Sequence, residues 1–395
     1  METPLGSSYF CLGSLIKMKK LKVLTVVGTR PEIIRLSRVM ARLDESKAIE
    51  HIIVHTGQNY DYELNEIFWN ELELRKPDHF LNVDTSTLGA AVGDIIRKTE
   101  EVLKLEKPDA LLVLGDTNSC LSGYIAKRMH IPIFHMEAGN RSFDFNVPEE
   151  INRKVIDHIA DFNLVYTEHA RRHLLSEGLQ HRRIYLTGSP MKEVLNHYMP
   201  KIKESKALET LGLQPKKYFI VSTHREENVD NQGNLRKILI ILNNLAKEYA
   251  MPIVVSTHPR TRKRLEEIKD IPMNPLVNFM KPFGFIDYVN LQMNALCTLS
   301  DSGTISEESS MLNFPAISLR QSMERPEAQD AGTIILTGFD PEIVLNSINT
   351  VVTEFEQTKG YSKIAEDYTI ENTSWRVLKL ILGNTGLSNK WWGVK

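Results

Sequence analysis

Carboxylate side chains recur in this sequence directly after short apolar runs. Asp116 and Glu137 each follow such a run, and Glu149 opens the helical pattern that comes next. A carboxylate in a partly desolvated cleft can serve as a general base or acid. Asp116 is equally suited to capping the next helix, and Glu149 to an acidic first helical turn. Arg153, four residues after Glu149, would share a helix face with it in a surface ion pair. From these residues alone both interpretations stay open.

A second set of side chains is suited to an anion such as a diphosphate. Arg30 follows Gly28-Thr29 where a helix N-terminus would favour negative charge, although a plain strand-to-helix turn is the alternative. Ser302, Gly303 and Thr304 combine hydroxyls and backbone N–H groups before another helix, and Glu308 within that helix is placed for ribose hydroxyls. A Ser-capped helix is the alternative there.

Two histidines stand in similar turns of the second half. His224, beside an arginine, suits protonation of a leaving phosphate, and His258 comes after the next apolar run. A local hydrogen-bonding role is the alternative for each of them.

The elements that must position these groups alternate between strands and helices. β-rich runs lie at Leu21–Val27, Ile52–His55, Ala110–Leu114 and Ile131–His135, with amphipathic segments between them. Continuous apolar runs of this kind are typical of parallel strands buried on both faces. The pattern predicts a doubly wound α/β sheet whose polar clusters meet at the carboxyl ends of the strands.

The same pattern begins again near Gly188. Further strands are predicted at Tyr218–Thr223, Ile253–Thr257, Ala295–Ser300 and Ala316–Ser318, and an amphipathic helix at Trp375–Leu382 returns to the first domain. The predicted division gives residues 18–187 with 366–395 to one Rossmann-like domain and residues 188–365 to a second. We expect the active site in the cleft between them. Residues 1–17 are predicted to be a disordered extension.

Composition excludes several classes of protein. The chain has 395 residues, 42% of them hydrophobic and 25% charged, as in globular proteins of two domains. A net charge of -2 argues against nucleic-acid binding. No apolar run reaches a membrane span of about 18–20 residues. Three distant cysteines are typical of a reducing cytoplasm, and the missing G-x-G-x-x-G pattern disfavours a nicotinamide dinucleotide.

The motifs together resemble those of the non-hydrolysing UDP-N-acetylglucosamine 2-epimerases. From Lys22 to Leu382 the family's order is seen: GTRPE, GDT, H-x-EAG, PEE-x-NR, THR-x-EN, HP, DSG-x-x-x-EE and ERPE. The resemblance implies the two-domain GT-B architecture, a nucleotide-sugar site in the cleft between the domains and no metal or redox cofactor. It implies epimerisation by elimination of UDP, formation of a 2-acetamidoglycal and re-addition of UDP.

The resemblance also implies roles for the residues already described. Asp116, Glu137 and Glu149 become the acid and base groups, and His224 assists the leaving phosphate. The residues expected at the UDP-sugar are Arg30, Arg35, Arg153, His258, Ser302, Gly303, Thr304, Glu308 and Arg325. Which carboxylate removes the proton and which returns it stays open.

Some features differ from the best-known relatives. Arg35 stands where many have lysine, the loop before Glu149 is shorter, and Thr56–Tyr62 lacks a Gln-His pair associated with an activating second nucleotide sugar. These features are more similar to the branch that converts UDP-2-acetamido-2,6-dideoxy-L-talose to UDP-N-acetyl-L-fucosamine for capsule or O-antigen synthesis. UDP-N-acetylglucosamine, epimerised to UDP-N-acetylmannosamine, is the alternative substrate. We expect the Phe143–Asn146 loop to select the sugar, and the family implies a homodimer.

Two other classes share parts of this pattern. A GT-B glycosyltransferase would have the same architecture and donor site but would transfer the sugar to an acceptor. A non-catalytic nucleotide-sugar sensor would bind without turnover. The number of ionisable groups at the cleft favours the epimerase.

Overall fold

The chain forms two parallel β-sheets with helices packed on their faces. The computed structural model describes residues 19–58, 69–223, 225, 228, 230–257, 259–265, 267–268, 270–361 and 363–394. In these residues the first sheet consists of β1 (Leu21–Val27), β2 (Ile49–His55), β3 (His79–Phe80), β4 (Ala110–Leu114), β5 (Ile133–Ala138), β6 (Phe162–Val165) and β7 (Ile184–Leu186). The second consists of β8 (Phe219–Ser222), β9 (Ile253–Ser256), β10 (Val277–Met280), β11 (Cys297–Ser300), β12 (Ala316–Ser318) and β13 (Ile335–Leu336).

Helices connect nearly all of these strands. Those of the first part are α1 (Arg30–Glu45), α2 (Leu88–Glu106), α3 (Ser122–Arg128), α4 (Pro148–Ile159), α5 (Glu168–Ser176), α6 (Met191–Glu204) and α7 (Ala207–Thr210). Those of the second are α8 (Gln232–Tyr249), α9 (Pro259–Leu265), α10 (Phe285–Asn294), α11 (Ile305–Leu312), α12 (Pro326–Asp330), α13 (Pro341–Thr358) and α14 (Thr373–Trp392).

Each sheet is doubly wound, as the sequence predicts. The strand orders are β3-β2-β1-β4-β5-β6-β7 and β10-β9-β8-β11-β12-β13, and every pairing is parallel. Alternate residues of β1 enter two different apolar clusters, Val23 and Val27 on one face and Leu24 and Val26 on the other. The order reverses between β1 and β4 and between β8 and β11. Ligands of such sheets bind outside the strand ends at these switch points.

Strand prediction succeeded where the apolar run is unbroken. The predicted ranges of β1, β4 and β12 agree with the structure. Strand β5 was predicted as Ile131–His135 but continues to Ala138, because a register irregularity after Met136 lets pairing resume beyond the polar Glu137. Five strands were not predicted. They are short or interrupted by polar residues, such as the two-residue β3 and the sequence Phe162-Asn-Leu-Val165 of β6.

The C-terminal helix packs back onto the first sheet's unit, as predicted, but is much longer than expected. α14 contacts α1 and runs to Trp392, whereas the prediction ended at Leu382. Gly383 and Gly386 disfavour a helix intrinsically, and tertiary packing overrides that preference. Trp392 Nε1 and Ser388 Oγ both donate to Asp161 Oδ1, at 2.5 and 3.1 Å. Asp161 is thus buried where this helix meets the first sheet's unit.

The two sheets lie in consecutive halves of the chain, which fits a division near residue 188. The boundary itself stays a prediction. In the described part of the chain, no helix is long and apolar enough to cross a membrane.

Candidate active site

A cavity of about 380 Å³ lies between the two sheets, at the carboxyl ends of their central strands. Residues after β1, β4 and β5 line one side, and residues after β8, β9 and β11 line the other. An apolar segment, Pro282–Val289, contributes Phe283 and Phe285 to the wall. Cavities of this size hold small molecules in a partly desolvated setting. This cavity lies where the sequence predicts the site, between the two sheets.

Asp116 lies at the cavity, held by an arginine. Its Oδ2 accepts from Arg153 Nε at 2.7 Å, and its backbone carbonyl accepts from Asn152 Nδ2 at 2.8 Å. The short helix that follows is capped by Thr117, without a side-chain hydrogen bond. The capping interpretation of Asp116 is therefore wrong, and its carboxylate, 18% exposed, is available to a molecule in the cavity.

Helix α4 carries Glu149 to the same cavity wall. Pro148 occupies the first turn, where its missing N–H costs nothing, and Glu149 follows it. Burial raises the pKa of the Glu149 carboxyl, and the negative charge of Asp116 raises it further. Arg153 does not pair with Glu149 as the helical spacing predicted. It turns to the buried face and contacts Glu150 Oε2 at 3.2 Å, besides Asp116.

Glu137 reaches the cavity through an irregularity in its strand. Its φ of 65° is in the left-handed region, at the point where the β5–β6 register shifts. Gly139 follows with a φ of 81°, and a Cβ there would lie 2.4 Å from the Ala170 carbonyl oxygen, so only glycine fits. Arg35 Nη1 and Arg325 Nη2 hold the two oxygens of Glu137, the second at 2.8 Å. The H-x-EAG stretch is thus built to turn this carboxylate into the cleft.

Arginine–carboxylate contacts cross the cleft in two places. Arg325, at the start of α12, reaches Glu137, and Arg153 Nη2 lies 3.1 Å from Glu324 Oε2. Although burial alone would raise the pKa of Glu324, Arg225, Arg153 and Arg320 together hold it well below its usual range. Glu324 therefore stays a carboxylate and ties the two halves of the site together.

The opposite wall presents hydroxyls and a helix N-terminus. Ser302, Gly303, Thr304 and Glu308 line the cavity where α11 begins, and Arg30 lines it at the start of α1. A Cβ on Gly303 would lie 3.1 Å from Glu324 Oε2, so the glycine lets the turn approach that network closely. Glu308 Oε2 accepts from Gln292 Nε2 at 2.8 Å. Thr304 makes no side-chain cap hydrogen bond to α11; within the turn its Oγ1 lies 2.9 Å from Ser302 Oγ, which also accepts from Thr304 N at 3.3 Å.

Not every predicted site residue can be placed. His224 and His258 lie outside the described residues. The Phe143–Asn146 loop is described, but it does not line the cavity. Phe143 packs edge-on against His173 and Phe145 lies against Lys154, both on the surface. The expectation that this loop selects the sugar is therefore not supported by its position.

Sequence reasoning missed several buried groups of the site. Glu32 accepts from Gly28 N and Thr29 N, at 2.9 and 2.6 Å, and from Thr117 Oγ1 at 3.0 Å, which joins the loops after β1 and β4. Glu324 and Glu307 were also passed over. All three acids lie within the family motifs quoted above, close to residues that the sequence analysis assigned to the site. Their place inside these motifs was the available signal.

The arrangement can move protons beside a bound anion. Three carboxylates, Asp116, Glu137 and Glu149, line one cavity with a helix N-terminus on the far wall. Arginines hold Asp116 and Glu137, and burial favours the protonated form of Glu149, so the acids have different environments. Among the described residues, no group of His, Cys, Asp and Glu side chains is arranged to bind a metal ion.

Comparison with known proteins gives consistent matches along the chain. The sequence profile of the family described as UDP-N-acetylglucosamine 2-epimerase matches residues 41–382. A UDP-N-acetylglucosamine 2-epimerase of Methanococcus maripaludis is 38% identical over 338 residues, or 84% of this chain and 92% of that protein. A UDP-2,3-diacetamido-2,3-dideoxy-D-glucuronate 2-epimerase of Pseudomonas aeruginosa is 33% identical over 344 residues, 86% of this chain and 95% of that protein. A solved structure of UDP-N-acetylglucosamine 2-epimerase from Rickettsia bellii is 50% identical, covers 94% of this chain and 100% of its own, and superimposes with a TM-score of 0.89.

Proposed function

Since the chain belongs to the UDP-N-acetylglucosamine 2-epimerase family and is a non-hydrolysing UDP-sugar 2-epimerase, we propose that it inverts the second carbon of a UDP-2-acetamido sugar. The observation that carries the proposal is the cavity that three carboxylates line together with the N-terminus of α11. The two parts of the reaction, proton transfer and departure of a diphosphate, need these two walls.

The reaction proceeds by elimination and re-addition. One carboxylate takes the proton from the second carbon, the electrons form the double bond of a 2-acetamidoglycal, and the bond to UDP breaks. UDP then attacks the first carbon again while an acid delivers a proton to the opposite face of the second. Asp116, Glu137 and Glu149 supply these groups, and the raised pKa of Glu149 brings it closer to neutral pH, where general catalysis is most effective. His224 assists the leaving phosphate.

The nucleotide occupies the wall formed by the second sheet. Ser302, Gly303 and Thr304 bind the diphosphate with N–H groups and hydroxyls, and Glu308 binds the ribose. Arg30 faces the diphosphate and sugar from the other wall. We also assign His258 to binding of the UDP-sugar, as the family resemblance implies.

Three arginines act on the substrate partly through the acids that they hold. Arg35 and Arg325 contact Glu137, and Arg153 contacts Asp116. They therefore hold these carboxylates in place and offer positive charge near the departing UDP. Enclosure of the cavity keeps water from the glycal intermediate.

For the sugar, we propose UDP-2-acetamido-2,6-dideoxy-L-talose, converted to UDP-N-acetyl-L-fucosamine for capsule or O-antigen synthesis. The similarity of Arg35 and of the short segment before Glu149 to that branch supports it. UDP-N-acetylglucosamine is the second candidate, favoured by the names of the relatives from Methanococcus maripaludis and Rickettsia bellii. The Pseudomonas aeruginosa relative is named for a different sugar at 33% identity, so names at this distance do not fix the substrate.

Deuterium incorporation tests both the proposed epimerase reaction and the proposed sugar. The enzyme is incubated in deuterium oxide with each UDP-sugar separately, and the second carbon is followed by NMR. We expect deuterium there in at least one sugar, because protonation from the opposite face draws on solvent-exchanged acids. Faster exchange with the deoxytalose derivative supports the proposed sugar, and faster exchange with UDP-N-acetylglucosamine replaces it. Exchange in neither contradicts the epimerase function, and net release of UDP to an acceptor would instead indicate a glycosyltransferase.

We also propose that the enzyme is a homodimer joined through an exposed apolar surface, here named the α4 surface. It comprises Phe143, Phe145, Ile151 and Val155, which are 71%, 69%, 55% and 38% exposed. Ile151 and Val155 are one turn apart on α4. Clustered exposed apolar side chains of this kind mark protein–protein contacts.

Changing the α4 surface should change the oligomeric state without changing catalysis. The double variant Phe145→Ser, Ile151→Glu is expected to elute as a monomer in size-exclusion chromatography with light scattering, while the wild type elutes as a dimer. Ile343→Ser, at a 51% exposed position on α13, is the matched control and should stay dimeric. A monomeric wild type, or a double variant that remains dimeric, contradicts this interface.

A further inference from the structure

Glu307 is a fully buried carboxylate close to the site but outside the cavity lining. It lies in the first turn of α11, where its backbone N–H donates to Thr304 O at 3.0 Å. Its Oε1 accepts from Arg325 Nη1, and its Oε2 has no hydrogen-bond partner. A buried ion needs its partner, so Glu307 and Arg325 hold each other in place.

The position of Glu307 links it to the proposed diphosphate site. Ser302, Gly303 and Thr304 immediately precede α11, and Glu307 is three residues further on in the same helical turn. The turn that faces the phosphates and the carboxylate that faces the interior are therefore parts of one rigid element. A shift of this turn on nucleotide binding must move Glu307 as well.

Arg325 extends the connection across the cleft. Its Nη2 donates to Glu137 Oε1 at 2.8 Å while its Nη1 stays with Glu307. Arg35 lies on the other oxygen of Glu137. The two negative charges of Glu137 and Glu307 are thus matched by the two positive charges of Arg35 and Arg325 in a buried cluster. Loss of one of these charges changes the hydrogen bonds that the other three groups make.

We propose that Glu307 is a positioning residue that connects the diphosphate-binding turn to the proton-handling Glu137 through Arg325. The inference rests on the proposed function, because it assigns Glu137 to proton transfer. With Glu307 charged, Arg325 is shared between two acids. With Glu307 neutral, Arg325 keeps only Glu137 as its acidic partner, and the pair moves away from the position that the contact with Glu307 fixes.

The environment of Glu307 supports this role. Burial raises the pKa of Glu307 to about 7, against the opposing charge of Arg325, so its ionisation is finely balanced. The groups that face this cluster from the surrounding elements include Arg325, Glu137, Arg35, Tyr166, Tyr368, Glu327 and Ser189.

Glu307→Gln tests the inference, because it preserves shape and removes the charge. We expect kcat for deuterium exchange at the second carbon to fall about 10- to 100-fold, as displaced catalytic groups do, with the KM for the UDP-sugar and the Kd for UDP little changed. Glu307→Asp keeps the charge and should recover part of kcat. Ser310→Ala, a turn later in α11 and bonded to Thr333, is the matched control and should keep kcat.

A double variant separates positioning from stability. If Glu307 acts through Glu137, the Glu307→Gln penalty should largely disappear in a Glu137→Gln background, because the two changes are not additive. Additive penalties, an unchanged kcat, or a loss of UDP affinity that matches the loss of kcat would each overturn the inference. If Glu307→Gln does not fold, the same comparison is made with Glu307→Asp. A lowered kcat with intact UDP affinity then supports the positioning role of Glu307, and an unchanged kcat overturns it. Absence of exchange in the wild type would instead refute the proposed function.

Discussion

Replacing Asp116 by asparagine is expected to lower deuterium exchange at the second carbon by about 10²–10⁴-fold, the contribution of a positioned general acid or base. The amide keeps an oxygen that can accept from Arg153 but can no longer take or give the reacting proton. Exchange is followed by NMR in deuterium oxide, and UDP binding is measured by calorimetry. We expect the affinity for UDP to remain, because the proposed nucleotide wall belongs to the second sheet.

Asp109→Asn provides the matched control for that variant. Asp109 precedes the other end of β4, where its Oδ2 accepts from Lys22 N at 2.8 Å, far from the cavity. This control should leave exchange intact. Full activity of Asp116→Asn would remove Asp116 from proton transfer and leave Glu137 and Glu149 as the remaining acids.

Replacing Arg153 by methionine is expected to have the largest effect on stability, a loss of about 3–5 kcal/mol in the free energy of unfolding. Arg153 contacts Asp116, Glu150 and Glu324, whose side chains are 18%, 0% and 5% exposed. Methionine fills similar volume but leaves three acids without this shared cation in a poorly solvated place. Urea unfolding of both proteins measures the difference.

Arg236→Met tests whether this effect depends on burial. Arg236 pairs with Asp270 on the surface, with 41% and 63% of the side chains exposed, so its loss should cost about 0–1 kcal/mol. Equal losses in the two variants would contradict the assigned importance of the buried network.

The ion pairs of Glu324 make the stability of the fold depend on pH. Because Arg225, Arg153 and Arg320 depress the pKa of Glu324, the stabilisation by these pairs is fully present above the ordinary glutamate pKa. It is lost as the pH falls through the lowered value.

Most of the groups at the candidate site were predictable because of a general property of parallel sheets. Each strand ends at the same edge, so polar residues that follow separate apolar runs must come together there. Asp116 follows β4, Glu137 lies near the end of the neighbouring β5, and the turn from Ser302 to Thr304 follows β11. The order of motifs along the chain was therefore sufficient to predict one cleft.

The partners of these groups were not predictable in the same way. Helical spacing paired Glu149 with Arg153, yet Arg153 lies on the buried face and bonds Asp116 instead. The choice depends on how α4 is rotated against the sheet, which spacing along one helix does not contain. Likewise, Phe143 and Phe145 were assigned to sugar selection by their place in the chain, but the loop turns them outward.

By itself, the sequence determined the α/β class, the two-sheet organisation, the family and the acids and hydroxyls that face the cleft. The fold class and the two-sheet organisation follow from local apolar runs. The family and the cleft residues follow from motifs and their order in the sequence. Tertiary structure alone decided which charges neutralise one another: Arg153 with Glu324, and Arg325 with both Glu137 and Glu307. Those contacts join residues up to 188 positions apart and cross between the sheets. Electrostatic energy depends on distance and burial in space, and neither is encoded by spacing in the sequence.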